Sequence, residues 1–117
     1  MEQSAMTDVA AKLDSIIHPL PRLSICATLA AGPQWVDFKT VATATGLSDS
    51  SLSKHSRALE VAGYIEVLKG AVARRPRTWF RLTPLGRTRY HGHVRSLQQL
   101  VGASAEHSFD ESMEGEA

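Results

Sequence analysis

The positions of glycine and proline divide the first half of this 117-residue chain into short segments. Gly32-Pro33, Gly46 and Gly63 each follow a stretch with apolar residues at helical spacing, and glycine commonly lies just past the last turn of a helix. After Gly63 the spacing changes, because residues 64–69 and 78–82 alternate in the manner of strands. The chain is therefore predicted to fold into several short helices followed by a β-hairpin.

The expected order of elements is α-α-β-α-α-β-β-α, a mainly α fold with a small β-hairpin. Helices are predicted at residues 8–17, 21–31, 38–45, 49–62 and 84–101, a short strand at 35–37, and the hairpin strands at 64–69 and 78–82. Ser48 is the expected N-cap of the helix at 49–62, and Thr83 precedes a proline at the first position of the last helix. Residues 1–7 are expected to be a flexible N-terminus, 8–101 one domain, and 102–117 a loose acidic tail.

Length and composition favour a single domain. A chain of 117 residues with 43% apolar residues can form a core without a disulfide framework, and Cys26 is its sole cysteine. Because Cys26 lies in an apolar stretch, we expect a buried thiol with a raised pKa. The sequence has neither the pattern of a secretory signal nor the ~20 apolar residues of a membrane span, which predicts a cytoplasmic protein without a membrane partner.

The net charge of +1 conceals an uneven distribution of charged residues. Residues 48–95 contain ten basic and three acidic residues, whereas the last stretch carries Glu106, Asp110, Glu111, Glu114 and Glu116. The middle of the chain is therefore basic and its tail is acidic.

The predicted helix at 49–62 has two different faces. Leu52, Ser56 and Leu59 recur on one face, which must pack on the preceding helices, and the Ser56 hydroxyl is expected to bond to a carbonyl one turn earlier. The opposite face collects short hydroxyls, two cations and one valine: Ser50, Ser53, Lys54, Arg57 and Val61. A solvated helix surface can have this composition too, so the face alone does not identify a binding site.

Three arginines lie at or beside the predicted hairpin loop, residues 70–77. The guanidinium groups of Arg74, Arg75 and Arg77 repel one another unless an anion neutralises them. For Arg77, an ion pair with Glu66 or Asp37 at the base of the hairpin is an alternative.

Four segments carry a resemblance to a known family. They are IHPLPRLSICATL at 17–29, VDFKTVATATGL at 36–47, SDSSLSKHSRALEVAGYIEV at 48–67 and RRPRTWFRLTPLG at 74–86. Together they resemble the winged helix-turn-helix transcription regulators related to the MarR and ArsR families. The resemblance implies a winged helix-turn-helix fold and a homodimer that binds double-stranded DNA, and it does not identify the operator.

On this interpretation the helix at 49–62 is a recognition helix in the major groove, and the hairpin loop is a basic wing at the minor groove. The residues expected to contact DNA are Ser48, Ser50, Ser51, Ser53, Lys54, Arg57, Arg74, Arg75 and Arg77. No interleaved set of exposed aromatic residues is visible to stack single-stranded bases, so duplex DNA is the expected partner.

The terminal helices carry more apolar surface than so small a domain can readily cover. As in the resembled families, a dimer interface is the expected use of this surface. The residues assigned to it are Leu13, Ile16, Ile17, Tyr90, Val94, Leu97, Leu100 and Val101.

The sequence also bears on metal binding, catalysis and protein docking. His91 and His93 would point about 160° apart on a helix and Cys26 has no neighbouring cysteine, so neither a metal nor another cofactor is expected. The serines around His55 have no orienting acid at readable spacing, so no catalytic residue is assigned. The alternative function is a winged-helix module for protein docking or dimerisation without DNA, and a small-molecule effector of unknown identity remains possible.

Overall fold

The structure, a computed structural model, describes residues 13–116, with side chains up to residue 103. Its helices are α1 (Leu20–Ala31), α2 (Phe38–Thr45), α3 (Asp49–Val61) and α4 (Pro84–Glu116), and its strands are β1 (Val36–Asp37), β2 (Ile65–Val72) and β3 (Arg75–Leu82). Residues 14–90 form one compact unit, and the described residues from 91 onward belong to a second. From residue 20 onward, this is the predicted order of helices and strands.

Local hydrogen bonds and one glycine fix both ends of α2 and the start of α3. Asp37 caps α2, because its Oδ1 accepts a hydrogen bond of 2.8 Å from the Thr40 N–H. Gly46 ends α2 with a φ of 72°, a left-handed conformation that glycine adopts without steric cost. Ser48 Oγ accepts the Ser51 N–H at 3.2 Å, which confirms Ser48 as the N-cap of α3. The short turn between the caps therefore joins α2 and α3 as a helix-turn-helix.

The three strands form one antiparallel sheet in the order β1-β3-β2. Val36 pairs with Phe80, so the short strand joins the hairpin as the sequence predicts. The prediction of a loop at residues 70–77 is wrong. The ladder of β2 and β3 continues to the pair Val72 and Arg75, so only two residues make the turn. Ala73 and Arg74 have φ values of 51° and 67°. Two successive left-handed residues produce a tight turn whose twist matches that of the flanking strands, which lets both strands continue to the tip.

The core of this unit lies between the short helices and the inner face of the sheet. Phe80 is 1% exposed, and its ring centroid lies 5.8 Å from that of Phe38. The inner face of α3 is the predicted one, with Leu52, Ser56 and Leu59 buried. Ser56 Oγ donates to the carbonyl of Ser53 at 3.1 Å, so the buried hydroxyl is satisfied within its own helix.

The described end of the helix predicted at residues 8–17 is not helical, and residues 8–12 lie outside the described residues. Asp14 Oδ1 accepts the N–H groups of Ile16 and Ile17 at 2.8 and 3.1 Å, so Asp14 starts a turn instead of continuing a helix. Its Oδ2 accepts the Tyr64 hydroxyl at 2.6 Å. Burial raises the pKa of Asp14, but these hydrogen bonds outweigh burial and hold the pKa below its usual value.

The last helix begins at a well-formed cap and is longer than predicted. Thr83 Oγ1 accepts the Gly86 N–H at 2.9 Å and donates to the Gly63 carbonyl at 2.7 Å. α4 continues to Glu116, so the predicted end of the last helix at residue 101 is wrong. The sequence after Pro84 contains no proline, and Gly102 costs a helix only about 1 kcal/mol. Among the described residues, no helix combines the length and the apolar character of a membrane span.

Candidate nucleic-acid interface

The outer face of α3 is a row of hydroxyls and cations. The predicted residues of this face, Ser50, Ser53, Lys54, Arg57 and Val61, are all exposed, and the valine lies at the last turn. Ser51 is half-buried in the first turn. The N-cap Ser48 is also exposed, and its Oγ lies 3.3 Å from Ser50 Oγ. Within the described part of the chain, neither Lys54 nor Arg57 has an ion-pair partner. Both cations are therefore available to an anion from outside the protein.

His55 lies on the same helix and is half-buried. Burial lowers its pKa, and the positive charges of Arg22 and Lys54 lower it further. This shift disfavours a protonated His55, so the charge of this face comes chiefly from lysine and arginine.

The hairpin arginines differ in their contacts. Arg77 Nη1 lies 3.7 Å from Asp37 Oδ2, which confirms the ion pair given as an alternative. Glu66 is paired with Arg81 instead, at 3.0 Å, and the Arg81 guanidinium lies 4.6 Å from the Trp35 ring centroid. Ion pairs at this exposed surface contribute only about 0–1 kcal/mol, so the Asp37 contact does not prevent Arg77 from meeting a phosphate.

Arg74 and Arg75 lie at the end of the hairpin, and both are exposed. Arg74 is the second residue of the turn, and Arg75 is the first residue of β3. Neither has an ion-pair partner among the residues that the structure describes. The tip of the hairpin is consequently a compact site of two uncompensated charges.

Two open cavities lie between the helix-turn-helix and the hairpin. The first has a volume of about 500 Å³ and is bordered by Phe38, Lys39, Arg77 and Thr78 among others. The second, of about 230 Å³, is bordered by Arg57, Glu60 and Lys69, and it shares Phe38 and Thr78 with the first. Because the two cavities adjoin at these shared residues, they form one groove, which we call the helix-hairpin groove.

Lys39, Lys69 and Thr78 border this groove but are not among the residues expected from the sequence to contact DNA. Lys69 and Thr78 are opposite each other in the ladder of β2 and β3. The alternation of Val67, Lys69 and Ala71 could have placed Lys69 on the inner face, but only with the register of the hairpin already known. The orientation of Lys39 depends on how α2 packs, which no local pattern reveals.

The residues predicted for a dimer interface fall into two groups. Ile17 is 0% exposed and belongs to the protomer's own core, so its assignment to a dimer interface is corrected. Ile16 and Tyr90 are partly buried and pack against the same core. The others lie at the surface to different degrees: Leu13, Val94, Leu97 and Leu100 are half-buried, and Val101 is exposed. The assignment of Leu13, Val94, Leu97, Leu100 and Val101 to a dimer interface stays a prediction.

The groups considered for metal binding and redox chemistry are in different environments. His91 is exposed and His93 is buried, and the described residues contain no cluster of three or more His, Cys, Asp or Glu that could hold a metal ion. Cys26 is buried, and burial together with the charge of Asp14 raises the pKa of its thiol to about 12. The prediction of a buried, unactivated thiol is therefore confirmed.

Comparison with known proteins identifies the fold. The family described as "Winged helix DNA-binding domain" matches residues 21–101. An uncharacterized protein of Methanocaldococcus jannaschii is 27% identical over 85 residues, which cover 73% of this chain and 91% of that protein. A transcriptional regulator homologue from Pyrococcus horikoshii OT3 is similar with a TM-score of 0.72 at 24% identity, over 88% of this chain and 97% of the other.

A third protein, a MarR family transcriptional regulator from Streptomyces coelicolor, was solved in complex with DNA. Its TM-score is 0.61 at 21% identity, over 97% of this chain and 82% of that one. The winged helix fold expected from the sequence is therefore confirmed.

Proposed function

Because this chain belongs to the family of winged helix DNA-binding domains, we propose that it is a transcription regulator that binds double-stranded DNA in a sequence-specific manner as a homodimer. One observation carries the proposal. Within residues 14–90, the outer face of α3 and the hairpin tip both present cations that have no ion-pair partner in the described structure. Two cationic elements of this kind fit adjacent grooves of a duplex, whose phosphates supply the missing negative charge.

In the proposed complex, α3 lies in the major groove. A groove about 12 Å wide admits one helix, and the short side chains of Ser50 and Ser53 allow the backbone to come close to the bases. Lys54 and Arg57 then reach phosphates and base edges, and an arginine can bind the O6 and N7 atoms of guanine with two hydrogen bonds. The capping of α3 by Ser48 and its packed inner face hold this surface rigid.

The hairpin tip is proposed to enter the minor groove. A two-residue turn makes the tip narrow, and Arg74 and Arg75 there match the negative potential of that groove. Ala73 and Arg74 both have positive φ, a conformation that costs a non-glycine residue roughly 1–2 kcal/mol. A strained backbone at an exposed and charged tip supports a functional use of its shape.

Dimerisation is proposed to use the apolar surface of α4. Val94, Leu97 and Val101 recur at spacings of three and four residues, which places them along one side of the helix. A second copy of the same helix would cover this surface in a two-fold interface, where the same patch faces itself. Two recognition helices would then meet half-sites about 34–36 Å apart, one turn of the duplex.

Replacing Arg57 with alanine is expected to reduce both affinity and sequence preference. A duplex is first selected from a random pool with the wild-type protein. Loss of a bidentate base contact then lowers affinity for that duplex by about 5- to 150-fold for each half-site, because such a contact contributes roughly 1–3 kcal/mol of discrimination. Affinity for a scrambled duplex should fall less. Arg87→Ala, which removes an exposed arginine of α4, is the control, and equal affinities of the Arg57 and Arg87 variants for the selected duplex would contradict the role of Arg57.

Replacing Leu97 with glutamate is expected to dissociate the dimer. An unpaired carboxylate buried in an apolar interface is strongly unfavourable, so the dissociation constant should rise by at least about 100-fold. Sedimentation equilibrium measures it, and Gln98→Glu introduces the same side chain at a neighbouring exposed position as a control. A wild-type protein that is monomeric throughout, or a Leu97→Glu variant that remains dimeric, would contradict the proposed interface.

A further inference from the structure

We infer that the helix-hairpin groove receives one sugar-phosphate strand of the duplex, and that Lys39, Lys69 and Thr78 are additional DNA-backbone contacts. This inference rests on the proposed function, because it requires α3 in the major groove and the hairpin tip in the minor groove. The two grooves of a duplex are separated by a single phosphate strand. A protein that occupies both grooves must therefore accommodate that strand between the two inserted elements, which is where this groove lies.

The charges of the groove fit a phosphate strand. Four cations border it: Lys39 and Arg77 in one cavity, and Arg57 and Lys69 in the other. At their junction, Thr78 supplies a hydroxyl that can donate to a phosphate oxygen. Two cations in each cavity and a short neutral donor at their junction form a suitable lining for a continuous chain of phosphates.

The two acidic residues that border the groove, Asp37 and Glu60, differ in their interactions. Asp37 is engaged by the protein itself, since hydrogen bonding with Thr40 lowers its pKa against the opposing effect of burial. The charges of Arg77 and Lys39 lower this pKa further. Glu60 borders the second cavity with Arg57 and Lys69. Its charge opposes a phosphate there, so we assign Glu60 the role of weakening backbone binding that is independent of sequence.

The dependence of DNA affinity on salt concentration distinguishes phosphate contacts made by Lys39 and Lys69 from the general effect of surface charge. Fluorescence anisotropy is measured with a mixed-sequence duplex of about 25 base pairs, long enough for two half-sites one turn apart. Because phosphate contacts do not depend on sequence, the operator need not be known. Removing one phosphate contact reduces the slope of log affinity against log salt by about 0.9, so Lys39→Ala with Lys69→Ala should reduce it by roughly 1.8 per protomer. Lys39 and Lys69 are exposed, and circular dichroism checks that the variants fold.

Two further variants make the test sharper. Arg87→Ala removes an exposed cation that borders neither cavity, and its slope should stay near that of the wild type. Glu60→Gln should raise affinity about two- to fivefold, the effect of one exposed charge near a phosphate. If the wild type binds DNA but the Lys39 and Lys69 double variant behaves like Arg87→Ala, the groove assignment is overturned while the proposed function stands. If the wild type does not bind duplex DNA, both fail.

Discussion

Replacing Arg74 and Arg75 together with alanine is expected to weaken binding to duplex DNA by about 10- to 100-fold at moderate salt. Each arginine is exposed and has no ion-pair partner in the described structure, so a DNA phosphate can neutralise its charge without breaking an existing ion pair. A hydrogen bond to a charged group contributes roughly 1.5–3 kcal/mol, of which part is recovered by water when the side chain is truncated. The slope of log affinity against log salt should become shallower by about 0.9 for each phosphate that the variant no longer neutralises.

The matched control for this variant keeps the same change of charge. Arg87→Ala with Arg95→Ala also removes two exposed arginines, but from α4 instead of the hairpin. Anisotropy titrations at several salt concentrations compare the two double variants with the wild type. Equal decreases in affinity in the two double variants would mean that only total charge matters, and the assignment of the hairpin tip to the minor groove would have to be abandoned.

Replacing Gly86 with alanine is expected to destabilise the protein by about 3 kcal/mol or more, through overpacking against a rigid neighbour. A Cβ atom at Gly86 would overlap the backbone carbonyl of Tyr64. That carbonyl accepts a hydrogen bond of 3.0 Å from the Thr83 N–H, so it is held in place and cannot move without breaking the hydrogen bond beside the start of α4. At roughly 4–8 °C for each kcal/mol, the melting temperature should fall by at least about 12 °C.

Gly92 offers the control on the same helix. Among the described residues, a Cβ atom there would meet nothing within 4 Å beyond its own stretch of helix, so Gly92→Ala should be neutral or stabilise the helix by up to about 1 kcal/mol. Both variants are melted at one protein concentration, because the stability of a dimer depends on concentration. Similar melting temperatures for the two variants would show that the packing of α4 on Tyr64 is not tight.

The elements that the sequence predicts well have strong local signals. The structure has α2 at the predicted residues 38–45, and α3 differs from its prediction by one residue at its end. Gly46 and Ser48 fix the turn between them through conformations and hydrogen bonds within a few residues of the chain. The buried hydroxyl of Ser56 is predictable for the same reason, since its partner is the carbonyl of Ser53 on the same helix.

The hairpin is predicted less well because its turn lacks the usual residues. A two-residue turn with two positive φ values is typically Asn-Gly or Asp-Gly, whereas this one is Ala73-Arg74. The segment therefore resembles a loop, and its strand pairing depends on long-range contacts. The groove is also hard to predict because it depends on long-range contacts. Lys39 and Lys69 are 30 positions apart in the sequence, and they border one groove only because the hairpin packs beside the helices.

The two ends of the described chain illustrate two further limits of prediction from sequence. Ile17 has the same apolar character as a dimer-interface residue, and only the turn at Asp14 directs it into the core. For α4, the polar composition after Val101 predicts that the helix ends there, whereas α4 continues to Glu116 without an interrupting proline. Amphipathic pattern therefore indicates which residues avoid water, but not whether a residue is covered by its own chain or by a partner.

Binding of the wild-type protein to duplex DNA across a salt series tests the central claim most directly. Fluorescence anisotropy at low salt should detect binding, and log affinity should fall linearly with log salt at a slope near −0.9 for each phosphate neutralised. A duplex selected from a random pool should bind more tightly than a scrambled one at the same salt. Absence of binding to any duplex at low salt would contradict the account and favour a protein partner for the basic surface.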